Sequence, residues 1–92
     1  MARKNKGAKQ TSRERMQLRH HLRELDEQRD SRLLDLGGLA LEMHQRDRFD
    51  ADLLDAKAAE VAAVEDEAKL VRRGLDEGLP LEQLEEIARN PD

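Results

Sequence analysis

Apolar residues recur along this chain at alternating steps of four and three. From Leu18 the stripe runs through Leu22, Leu25, Arg29, Arg32 or Leu33, Leu36 and Leu39 to Met43, the spacing that keeps side chains on one face of an α-helix. The start of that helix is written at Thr11-Ser12-Arg13-Glu14. Thr11 can cap the first turn, and the Glu14 carboxylate can reach back to the cap's own N–H, a reciprocal capping box. Arg29 and Arg32 interrupt the stripe in its middle. Their stems can cover apolar surface while the guanidinium heads reach water, and Leu33 stands beside the gap, able to rotate into it. The polar stretch Gln45 to Arg48 ends the helix.

A second stripe follows at the same spacing: Leu54, Lys57 or Ala58, Val61, Val64, Ala68, Val71 and Leu75. Asp50 is the expected cap, with Asp52 as a second acid in the first turn, where negative charge meets the positive end of the helix dipole. Phe49, just before the cap, occupies the position that staples onto Leu54. Gly74 and Gly78 are candidate terminators. Pro80 then suits the first position of a short third helix through Leu81, Leu84 and Ile87 to Ala88, closed by Asn90-Pro91.

Two long helices joined by only about four to six residues must run in opposite directions. The expected fold is all-α: an antiparallel two-helix hairpin, coiled-coil-like, over residues 11–78, and a short C-terminal helix and tail over 79–92. Residues 1–10 are small, polar and basic without apolar periodicity, so burial cannot repay the cost of ordering them. They read as a disordered basic arm. The first helix spans about 33 residues and would be roughly 50 Å long.

Gly37-Gly38 is the anomaly within it, since two interior glycines cost about 2 kcal/mol relative to alanine. Leu36, Leu39 and Leu41 keep the helical pattern across the pair, so a continuous or kinked helix is expected, its missing side chains letting a partner approach closely. A phosphate-cradling loop would need a preceding buried strand and a following Lys-Ser/Thr, and neither is present.

Composition narrows the functional classes. The 92 residues hold 17 Lys and Arg against 21 Asp and Glu, a net charge of −4, and 1% aromatic residues. So few large side chains cannot fill a thick core. No cysteine is present, so a disulfide framework, a thiolate zinc site and a cysteine nucleophile are excluded, and a reducing cytoplasm is the plain expectation. The longest uncharged run, Leu36 to Leu41, falls far short of the roughly 20 apolar residues of a membrane-spanning helix. An export signal is not expected either, because Thr11 to His21 is polar where an apolar region should follow the basic start.

Charge is unevenly distributed. Residues 1–23 carry eight Lys and Arg against Glu14 alone, and residues 24–92 carry nine against twenty acids. Clustered bases can displace counterions from a phosphate backbone, which makes Arg3, Lys4, Lys6, Lys9, Arg13 and Arg15 candidate phosphate contacts. The arm lacks the aromatic residues that stack on single-stranded bases. A solubilising tail, or one pairing with the acidic body of another copy, is the plainer reading.

No catalytic residue is expected. Asp26, Glu27 and Asp30, like Glu65, Asp66 and Glu67, fall on solvated helix faces, whereas acid–base work needs a carboxylate desolvated in a cleft. His20 and Glu24 have the i, i+4 spacing of a shared metal ion, but two ligands do not make a site. No cofactor or metal is expected. Ser12 and Ser31, the only serines, form no triad with these histidines.

The stretch Leu33 to Leu54, LLDLGGLALEMHQRDRFDADLL, resembles the helical-hairpin segment beside zinc ribbons in some uncharacterised bacterial proteins. The likeness lies in Leu36 to Leu39, Glu42-Met43-His44, the turn Arg46 to Asp50 and the acidic, alanine-rich return helix. It covers roughly residues 18–75. The resemblance implies a coiled-coil hairpin used for assembly. Without cysteine there is no zinc ribbon here, so metal binding is not implied.

The expected function is therefore a small non-enzymatic module for interaction or assembly. It would self-associate, as a dimer or four-helix bundle, or dock on a larger protein. The interaction seam would be Leu18, Leu22, Leu25, Leu36, Leu39, Met43, Leu54, Val61, Val64, Val71 and Leu75. The alternative is a nucleic-acid-associated protein whose basic arm contacts phosphates.

Overall fold

Thr11 opens the first helix as its spacing requires. Its hydroxyl accepts from the Glu14 N–H at 3.0 Å, while the Glu14 carboxylate accepts from the Thr11 N–H at 3.0 Å. The computed structural model describes residues 10–89, which form three helices and, among those residues, no strand: α1 Ser12–Arg46, α2 Ala51–Glu77 and α3 Leu81–Arg89. The chain is all-α. The α1 helix ends at Asp47, a left-handed cap at φ 53°, with the Arg48 N–H donating to the Met43 carbonyl at 3.0 Å. Four residues on, α2 begins from Asp50, whose carboxylate accepts from the Leu53 N–H at 3.0 Å.

Contacts between the long helices descend in α2 as they ascend in α1. The Arg15 guanidinium donates to the Leu75 carbonyl at 3.0 Å, His21 meets Glu67 at 2.8 Å, and Arg32 donates to Glu60 at 3.1 Å. Between them lies a narrow core of Leu18, Leu25, Val64, Ala68 and Val71, with Leu25 the most deeply buried. Met43 and Val61 are buried nearer the turn. The small side chains at Ala68 and the valines of α2 keep the helices close enough for single leucines to fill the space.

The third helix joins this core. Gly78 turns the chain at φ 68°, the left-handed conformation that glycine adopts without a Cβ clash. Pro80 stands one residue before the first helical position rather than in it, its carbonyl accepting from Gln83 and Leu84. Leu84 is then buried with Leu18 and Val71.

Two further local expectations, at Gly74 and Leu33, are corrected. Gly74 does not terminate α2: it is buried within the helix, and a Cβ there would stand 2.5 Å from a Leu84 methyl, so its bareness admits α3. Leu33 does not rotate into the gap beside Arg29 and Arg32 but stays 44% exposed; the half-buried Arg32, paired with Glu60, takes that place. Phe49 is 75% exposed and lines, with Leu54 and Met43, a shallow groove of about 350 Å³ at the turn. Gly37 and Gly38 sit in an unbroken α1, as the pattern across them predicts, and no described residue comes within 4 Å of a Cβ built on either. The close approach expected there is not made by α2 or α3.

Candidate interaction surfaces

The eleven seam residues are all turned at least partly inward, and Leu18, Leu22, Leu25, Val64, Val71 and Leu75 pack in one core. Leu18, Leu25, Met43, Val61, Val64 and Val71 are buried, and Leu22, Leu36, Leu39, Leu54 and Leu75 are half-buried. The stripes of α1 and α2 thus cover each other, and the apolar surface left for a partner lies elsewhere. Sequence periodicity identified the residues; which of several apolar surfaces would face them is a tertiary matter.

That remaining surface consists of residues outside the seam. Met16 is 70%, Leu34 77%, Leu41 56% and Phe49 75% exposed. On α1, positions 34 and 41 lie two turns apart and therefore share a face. It points away from the stripe of Leu36, Leu39 and Met43. A signal for them existed in the sequence: two leucines out of phase with the helical stripe, flanking a glycine pair.

A groove of about 670 Å³ opens where α3 crosses the long helices. Its apolar floor includes Leu18, Leu70, Leu81 and Leu84, and its rim carries His21, Glu67 and Glu85. The seam as expected from sequence omitted Leu81 and Leu84, because a nine-residue helix separated by a glycine and a proline gives no phase relation to the stripes before it. The paired His21 and Glu67 side chains are both about half exposed, so this contact tethers α1 to α2 at the surface rather than forming a desolvated acid–base pair.

The basic residues divide. Arg3, Lys4, Lys6 and Lys9 lie outside the described residues, as does Asn90-Pro91. Arg13 is exposed. Arg15 is half-buried, and its guanidinium donates to the Gln10 side chain at 3.1 Å as well as to Leu75. It serves the C-terminal carbonyls of α2, where a cation also meets the negative end of the helix dipole. Gln10, grouped by composition with the arm, belongs to the same clasp. Its amide donates to the Gly74 carbonyl at 2.8 Å, and its backbone N–H donates to that of Gly78.

His20 and Glu24 stand 3.6 Å apart, and among the described residues no three His, Asp or Glu side chains gather as a metal site would require. The Arg29 pKa is raised, first by its hydrogen bond to Asp30 and then by the charges of Asp30, Asp26 and Glu65. Its Nε is buried without a partner, the cost of setting an arginine in an apolar stripe. Among the described residues no helix is long and apolar enough to cross a membrane.

Comparison with protein-family models, curated proteins and solved structures finds no match to this chain. The resemblance at Leu33 to Leu54 rests on its residues alone.

Proposed function

We propose that this chain is a small non-enzymatic interaction module, an antiparallel, coiled-coil-like helical hairpin that self-associates or docks on a larger protein. The observation that carries this reading is the set of large apolar side chains left in water once the two stripes have covered each other. Leu34, Leu41, Met16 and Phe49 are each more than half exposed. Exposed leucines gathered on one helix face favour association when a matching surface is available. The sedimentation-equilibrium mass of the intact chain is expected to rise reversibly with concentration. A constant monomer mass would reject self-association and leave docking on another protein as the route.

A second reading is favoured by the charge division, eight bases against one acid in residues 1–23. In it the helical body carries a basic arm that binds nucleic acid through phosphates. Affinity should then fall steeply with salt, and removal of residues 1–9, which spares the Gln10 clasp, should abolish binding. Binding undiminished by that truncation would reject the arm as the contact.

A further inference from the structure

The outward face of α1 has a symmetry that the chain's own packing does not use. Leu34-Asp35-Leu36-Gly37 is followed by Gly38-Leu39-Ala40-Leu41, so the leucines read alike from either end about the Gly37-Gly38 bond. The inner pair, Leu36 and Leu39, is half-buried on the α2 side. The outer pair, Leu34 and Leu41, points the opposite way at 77% and 56% exposure. Between them both glycines are exposed, with nothing within 4 Å of either absent Cβ. This is bare helix backbone framed by two leucines.

A surface symmetric about its own midpoint suits a second copy of itself, because a two-fold contact pairs each position with its counterpart. We propose that two copies of this chain associate back to back through α1, antiparallel, with the two-fold axis at the Gly37-Gly38 bond. This rests on the self-association branch of the proposed function and supplies its surface. Leu34 packs on Leu41 of the partner subunit, and the glycine backbones meet where side chains would hold the helices apart.

Charge selects this orientation. About that axis residues 29–46 of α1 overlap their counterparts in the second copy, and Glu27 lies beyond that overlap, facing no acid. Asp30 lies opposite Gln45 of the partner subunit, and no acid in the span 29–46 opposes another acid. Arg29 and Arg46 are the like-charged counterparts, and both flank the side turned to α2. Parallel copies in register would instead set Glu27 against Glu27 and Asp30 against Asp30, a like-charge juxtaposition that disfavours that pairing.

The absence of cysteine makes the test direct. Leu34→Cys and Leu41→Cys are prepared separately, one isotope-labelled, then mixed and treated with a short bismaleimide. Both positions are exposed, so the fold tolerates the changes. Mixed cross-links should exceed either homodimer by about tenfold, since only unlike positions face each other. In parallel, Gly37→Ala/Gly38→Ala and Leu34→Gln/Leu41→Gln are compared with the native chain by sedimentation equilibrium. Each should weaken dimerisation by about tenfold or more, with helicity by circular dichroism retained. Homodimer cross-links forming as fast as mixed ones would overturn the antiparallel axis. A dimer whose dissociation constant is unmoved by both double variants would overturn this face while leaving self-association standing. A chain that stays monomeric at every concentration would overturn both.

Discussion

Gly78 sits at φ 68°, where any Cβ crowds the neighbouring carbonyl, and Gly74 sits beneath Leu84 with no room for a methyl group. Gly37 and Gly38 have ordinary helical backbone and open space. Alanine separates these cases. Gly78→Ala should cost about 1 kcal/mol in backbone strain. Gly74→Ala gains about 1 kcal/mol in helix propensity but overpacks the Leu84 contact by about 1–3 kcal/mol, so a net loss is expected. Gly37→Ala and Gly38→Ala should each stabilise the dilute monomer by about 1 kcal/mol. Urea denaturation of the four variants checks the signs. The caps at Thr11 and Asp50 were legible because a cap is a local event, settled by residues within one turn, whereas the choice of Gly78 over Gly74 as terminator needed the Leu84 contact. The Arg15 contact with Leu75 was not, since its partner is sixty residues away.

At the scale of elements, α3 has nine residues, too few to hold helical structure alone in water. Its anchor is Leu84, 6% exposed. Leu84→Ala should cost about 2–3 kcal/mol, and hydrogen exchange should show residues 81–89 losing protection while the middle of α1 and α2 keeps theirs. Equal loss throughout would mean that α3 is part of one indivisible core. The turn makes a separate prediction. Asp47 is the only non-glycine residue at positive φ among those described, so Asp47→Gly should raise stability by about 1 kcal/mol, read as a higher denaturation midpoint. Helix identity and phase were legible from stripe spacing. The exposure of Phe49 was not, because it depends on the direction in which the preceding turn delivers the chain.

The described residues form a slender rod, 67 × 25 × 13 Å with a radius of gyration of 18.1 Å, against about 12 Å for a compact domain of similar length. Such a shape has little interior, and its stability rests on the single line of contacts around Leu25. The ion pairs tying α1 to α2 contribute little. Asp26 and Arg72 meet at 2.9 Å, yet their side chains are 38% and 45% exposed, and pairs of this kind are worth about 1 kcal/mol or less. Asp26→Asn should therefore shift the denaturation midpoint only slightly, and high salt should remove most of the difference. A loss several times larger would mean that the pair organises the helix register rather than decorating its surface.

What the sequence by itself determined is what depends on near neighbours. It set the three helices, the capping box, the acidic start of α2, and which residues form each apolar stripe. Periodicity and capping act within a few residues, so they are written in order along the chain. Tertiary structure decided what each stripe meets. It gathered Leu18, Leu25, Val64 and Val71 into one core and brought Leu84 onto the bare backbone of Gly74. It also drew Gln10 and Arg15 to the end of α2, and left Leu34, Gly37, Gly38 and Leu41 facing water. Those outcomes depend on the relative placement of whole helices, where residues far apart in the chain compete for one surface, and a local pattern carries no record of that competition.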